Sequence, residues 1–181
     1  MTAQLDLFGH SPAVRETYGI HSAALLEKAK GPGGCTCPLC GQNVKIYRRT
    51  ITAAMVVALI KMYQAYCRYK WSTEDRDRSL HVEGLLKRCD CSSGTRGDFP
   101  KLRYWGLIEK VEEDRPDGSH RNGHYRLTPK GRQFILEQTM VQKYAVIYND
   151  TLYGIEGDYV GVRDALKEKF NFDELMKEEV L

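Results

Sequence analysis

The sequence predicts a mainly α protein with a small β-hairpin, an α+β fold, and three observations carry that prediction. From Thr52 to Tyr69 the residues Met55, Leu59, Met62 and Tyr66 recur at spacings of three and four, as on one face of a helix. From Asp98 to Phe134 helix signals enclose two β-like runs, Leu107 to Glu112 and Gly123 to Thr128, joined through Pro116, Asp117 and Gly118. The longest apolar run, Ala53 to Ile60, is too short to span a bilayer, and the composition is that of a soluble globular chain.

Taken in order, residues 1–14 precede any periodic pattern and contain Gly9, Ser11 and Pro12, so a flexible tail is expected. Val14 to Lys30 holds one short helix, and Gly31 to Gly34 reads as a linker. Cys35 to Arg49 is a cysteine-bearing knuckle that leads into a basic run. After the Thr52–Tyr69 helix come a polar turn (Ser72 to Asp77), a helix from His81 to Arg88 and a loop from Cys89 to Gly97.

Asp98 suits an N-cap, Pro100 the first helical turn, and Gly106 a stop that needs positive φ. Phe99, Leu102 and Trp105 share one face, which leaves Lys101, Arg103 and Tyr104 outside. Thr128 then caps a helix with Pro129 at its first position, expected to run to about Ala145. A hairpin is expected within residues 146–159, followed by helical pieces at Val162–Phe170 and Asp173–Val180. The division this implies is a tail (1–14), a short helix with the knuckle (15–49), a helical and hairpin core (50–145) and an appendage (146–181).

The net charge of +3 hides a segregation. Between Lys28 and Thr73 there is no Asp or Glu, yet Lys28, Lys30, Lys45, Arg48, Arg49, Lys61, Arg68 and Lys70 are all cationic. From Glu156 onward acids outnumber bases. A solvated face normally mixes signs, so the basic stretch points to a polyanionic partner. Lys45, Arg48 and Arg49, next to the knuckle, are candidate phosphate clamps. Tyr63, Tyr66 and Tyr69 fall on one helical face and suit a core or the seam of a homodimer.

The knuckle carries Cys35, Cys37, Cys40 and Gly41. Two thiolates at the spacing of Cys37 and Cys40 can grip one Zn²⁺, with the glycine permitting the turn. A structural tetrahedral site needs two more ligands. Cys89 and Cys91 are the obvious pair, with Cys35 and His81 as substitutes. Cys67 lies within a helix, where packing is the plain reading. No phosphate loop, serine nucleophile elbow or HExxH is present, so an enzyme is not expected. Glu112, Glu113 and Asp114 point to different faces of a strand, which makes a two-metal nuclease site unsuitable.

LRYWGLIEK, a polar loop and HYRLTPKGRQF together resemble the recognition helix and wing of winged helix-turn-helix DNA-binding proteins, as in MarR-like and PadR-like regulators. The resemblance covers roughly residues 50–145. It implies a winged helix-turn-helix core with a zinc knuckle and a C-terminal appendage, and duplex DNA as partner. Arg96, Lys101, Arg103 and Tyr104 on or beside the helix, with Arg115 and Arg121 on the wing, are its implied contacts.

Gln4, Leu5, Asp6, Leu7 and Phe8 resemble the pentapeptide by which bacterial replication and repair proteins bind the sliding clamp of DNA polymerase. That resemblance implies Leu7 and Phe8 in an apolar pocket, Gln4 hydrogen-bonded beside it, and Leu5 with Asp6 setting an extended path. It also implies a bacterial or bacteriophage source. No secretory signal is visible, so the cysteines are expected as reduced thiols or metal ligands in a bacterial cytoplasm or nucleoid, away from membranes.

Overall fold

The computed structural model describes residues 24–178 apart from 26, 39–40, 73–77, 112–122 and 149. The described residues form two compact units: those of Met1–Arg48 with Val146–Tyr153, and those of Arg49–Ala145 with Gly154–Leu181. The fold is mixed α+β, with strands in three small sheets among the described residues. It therefore holds more β structure than the single hairpin core and appendage hairpin predict.

In the first unit, residues 24–25 and 27–29 are helical. β1 (Cys35–Thr36) pairs antiparallel with β2 (Asn43–Val44), Cys35 opposite Val44. Between them the Cys37 N–H donates to Gln42 O at 2.8 Å and the Gly41 N–H to Cys37 O at 2.9 Å. Gly41 has φ +71°, which an L side chain rarely adopts, so glycine is needed for the turn to close this way. A second sheet has the order β3 (Tyr47–Thr50), β7 (Val141–Tyr148), β8 (Thr151–Val160), of which Val141–Ala145 and Gly154–Val160 belong to the second unit.

The second unit is built around α1 (Ala53–Arg68). Thr52 caps it, its Oγ1 accepting from the Met55 N–H at 3.3 Å, so the helix lies one residue inside each end of the expected Thr52–Tyr69 span. The helix is buried nearly all round, Val56, Ala58, Leu59, Ile60 and Met62 fully so. It can be, because α2 (Val82–Arg88), α3 (Ser93–Asp98), a 3-10 helix (Phe99–Trp105), α4 (Pro129–Ile135), α5 (Val162–Leu166) and α6 (Phe172–Lys177) all contact it.

The third sheet has the order β4 (Leu80–His81), β6 (His124–Leu127), β5 (Ile108–Lys110), all antiparallel. Its register sets Ile108 against Leu127 and Leu80 against Tyr125, apolar pairs facing the core. Tyr66 ties this sheet to α1: its hydroxyl accepts from the Leu127 N–H at 3.1 Å and donates to Arg78 O at 3.0 Å.

Three expectations are corrected. Residues 93–98 of the expected loop are helical: Ser92 Oγ accepts from the Thr95 N–H at 3.2 Å, and α3 packs on α1. Cap and packing outweigh the helix cost of Gly94 and Gly97. Asp98 consequently closes α3 rather than opening a helix; its carboxylate makes no cap bond and pairs with Lys101. The helix after Thr128 stops at Ile135 instead of continuing to Ala145. Glu137 turns left-handed (φ +59°) while the Gln138 N–H donates to Gln133 O at 2.8 Å, after which β7 begins.

Candidate nucleic-acid interface

α2, α3 and the 3-10 helix follow one another in sequence, with the β5–β6 pair after them. α2 opens on His81, whose Nδ1 accepts from the Gly84 N–H at 3.3 Å. That lone pair is thereby used in a helix cap, which sets His81 apart from a ready metal ligand. Across β4–β6 the His81 and His124 rings lie 5.3 Å apart, and Gly123 (φ +81°) leaves the space that the His81 ring fills.

α3 is short, and its polar side chains are tied within the element. Ser92 Oγ also bonds Thr95 Oγ1 at 2.9 Å. Arg96 Nη1 donates to Cys91 O at 2.5 Å, which locks the end of the α2–α3 turn. Lys101 pairs with Asp98. Arg103 Nη2 donates to the Tyr104 hydroxyl at 3.2 Å, its guanidinium 4.8 Å from that ring. Tyr104 is buried, 8% exposed, not outward as the spacing suggests, because the 3-10 geometry rotates it toward the core. Ser93, Gly94 and Gly97 are exposed.

The hairpin is anchored from behind. Thr128 Oγ1 donates to Gly106 O at 2.7 Å and accepts from the Gly131 N–H at 2.9 Å, while Lys130 Nζ donates to Trp105 O at 2.8 Å. A Cβ on Gly131 would stand 2.1 Å from Leu107 O, so only glycine permits this approach of α4 to β5. Arg126 pairs with Glu109 across the strands at 2.9 Å.

The other predicted site residues are scattered. Arg48 and Arg49 are exposed on β3, and Lys45 is half-buried with Nζ 5.9 Å from the Tyr47 ring. Arg115 and Arg121 of the hairpin tip, Gln4 to Phe8 of the pentapeptide and Cys40 lie outside the described residues. Cys35 and Cys37 belong to the first unit, Cys89 and Cys91 to the second. Burial pushes the thiols of Cys89 and Cys91 up, with Lys61 opposing in both. Among the described residues no three His, Cys, Asp or Glu side chains are grouped to hold a metal ion. Cys67 is exposed rather than packed.

Comparison with known proteins finds no match: no family model, no curated protein and no solved structure resembles the chain. Sequence reasoning missed Ser92 as the cap of α3 and Tyr66 as the bond between α1 and β6. A serine ahead of Thr95 was the available signal for the first; nothing local announced the second. No helix among the described residues is long and apolar enough to cross a membrane.

Proposed function

We propose that the chain is a winged-helix DNA-binding protein, held at the bacterial DNA polymerase sliding clamp by its N-terminal QLDLF and acting in replication, repair or replication-coupled transcription. The observation that carries the reading is the strand order β4–β6–β5, with β4 against α2, β5 against the 3-10 helix and β6 bonded to α1 through Tyr66. A helix, a strand, two helices and a hairpin in that pairing are the parts of a winged helix. The acid-free basic stretch supports a polyanionic partner, and a clamp that encircles DNA would raise the effective concentration of a modest binder.

The β1–β2 turn supports a structural zinc. It is closed by the Gly41 N–H on Cys37 O, which places Cys37 at the bend of a glycine-dependent hairpin, the local shape that a two-thiolate knuckle uses. Cys37 and Cys40 would hold the ion, with Cys35 as a further thiol. The bound ion would fix the turn and supply no reaction chemistry.

The test is a pull-down of purified clamp by the intact chain and by one lacking residues 1–10, paired with a duplex mobility shift over a salt series. The expected result is loss of clamp capture with DNA binding retained. Truncating a buried anchor costs about 2 kcal/mol or more, so Leu7→Ala with Phe8→Ala should reproduce the deletion. Clamp capture without any DNA binding would favour the rival reading, an adaptor that occupies the clamp or another replication protein. That rival has its own motivation, since α3 presents few open cationic side chains.

A further inference from the structure

The C-terminal end of α1 is built as an aromatic platform. Lys70 takes a left-handed φ of +54°, its N–H donates to Cys67 O at 3.1 Å, and the Trp71 N–H donates to Tyr66 O at 2.9 Å. This closure is common at helix ends, here with lysine where glycine is usual. It turns the chain back so that Trp71 meets Tyr66 edge-on, ring centroids 5.5 Å apart at 87°. Tyr66 is fixed in turn, since its hydroxyl accepts from the Leu127 N–H and donates to Arg78 O. Tyr69 stacks on Trp71 at 5.0 Å and 28°, and the Arg78 guanidinium stands 5.6 Å from the same indole.

Trp71 serves the core by covering Tyr66, whereas Tyr69 is 51% exposed. Its ring is held by a fixed neighbour yet open to solvent, so a stacking ligand would meet it already ordered. The surroundings are cationic. Beside Trp71 a cavity of about 310 Å³ is lined by Tyr63, Lys70 and Arg132, with no acid among its described lining residues. Lys70 and Arg132 are both exposed. An open ring beside cations suits a single strand, whose unpaired bases offer their faces to the ring and whose phosphates meet the charge. A duplex keeps its base faces inside the helical stack and would offer such a surface only phosphates.

We infer that the end of α1 is a site for single-stranded nucleic acid, with an unpaired base stacked on Tyr69 and the adjacent phosphates on Lys70 and Arg132. The site uses none of the residues assigned above to duplex DNA and does not rest on that reading.

The experiment is fluorescence anisotropy of the full chain on labelled thymidylate and uridylate oligomers of about twelve nucleotides, and on a duplex of equal length. Tyr69→Ala should weaken single-strand binding by about tenfold or more, while Tyr69→Phe, which keeps the ring, should stay within about twofold of wild type. Duplex affinity should be the same in all three proteins. Lys70→Gln leaves the ring in place and should reduce the salt slope on the single strand by about 0.7. A Tyr69-dependent affinity for either oligomer supports the site, and the tighter of the two identifies its sugar. Absence of single-strand binding, or an equal loss on duplex and single strand in Tyr69→Ala, overturns the inference and leaves the duplex reading standing. A wild-type dimer that Tyr69→Ala converts to a monomer assigns the ring to a seam between copies and overturns it as well.

Discussion

Around α1 the buried side chains are large and numerous, whereas the β1–β2 hairpin has almost none. Leu59, Ile60, Met62, Leu86, Phe99, Leu102 and Phe134 are all inaccessible to solvent. In the first unit the described buried apolar residues are Ala29, Val44 and Ile147. Burying a large aliphatic or aromatic side chain contributes about 1.5–3 kcal/mol, so the first region is over-determined by its core and the second is not. Small units of the second kind are ordinarily held by a disulfide or a metal. The contrast gives a physical reason for three cysteines within six residues, beyond their spacing.

The sharpest way to break that contrast is to remove the proposed staple. Cys37→Ser, or a strong chelator, should raise amide hydrogen exchange at Cys37 and Val44 to nearly the unfolded rate. Metal binding and folding are linked in such knuckles, so the effect there should be close to complete. Amides of α1, such as those of Leu59 and Ala65, should keep their protection. Unchanged exchange at Val44 in a metal-free preparation would mean that the hairpin stands without a metal.

The reverse perturbation should act on the other region alone. Leu59→Ala opens a cavity in a fully buried site and is expected to lower stability by about 2–5 kcal/mol, read by urea unfolding. Gly131→Ala should cost about 1–3 kcal/mol, because the added Cβ meets the carbonyl of Leu107, which is backbone and cannot rotate away. Thr128→Ala should cost about 1 kcal/mol through the lost cap of α4. If any of these exposes β1 and β2 to exchange at low denaturant, the two regions unfold together and the contrast in their stabilisation is wrong.

The same contrast explains what was legible. α1 was readable from the spacing of Met55, Leu59, Met62 and Tyr66 and the start of α4 from Thr128–Pro129, since periodicity and caps are local chemistry. Gly106, found at φ +68°, was readable as a stop for the same reason. α3 was not, because Gly94 and Gly97 argue locally for a loop and the deciding term is packing on α1. The early end of α4 was hidden too: Lys70, Asp90 and Glu137 take left-handed φ at the ends of α1, α2 and α4, where sequence habit looks for glycine. Its best signal was the period-two burial of Val141, Ala145 and Ile147 along β7. Of the candidate interface, the choice of basic residues was readable, but not that Arg96 and Arg103 are tied to Cys91 and Tyr104. Those bonds depend on where a turn and a 3-10 helix place a carbonyl and a ring.

The smallest expected effect lies on the surface of the helical region and shows what burial adds. Arg163 donates to Glu137 Oε1 at 2.8 Å and to Asp173 Oδ1 at 2.9 Å, joining the end of α4 to α5 and α6. The Arg163 hydrogen bonds hold the Asp173 carboxyl below its ordinary value, with Arg163 charge and Lys177 adding and desolvation opposing. A carboxylate depressed in the folded state contributes stability above its unfolded pKa, about 3.9. That contribution is lost as pH falls through the lower folded value. Asp173→Asn should therefore flatten the acid limb of the unfolding curve below about pH 4 and change neutral stability only slightly, since both partners are exposed and screened. Leu59→Ala, by contrast, should lower stability by a similar amount across the whole range, because no proton is linked to an apolar cavity. Urea midpoints between pH 2 and pH 7 for wild type and both variants separate the two behaviours. A pH-independent loss in Asp173→Asn would assign the Arg163 contacts to packing of its stem on Phe172, whose ring lies 4.5 Å from the guanidinium.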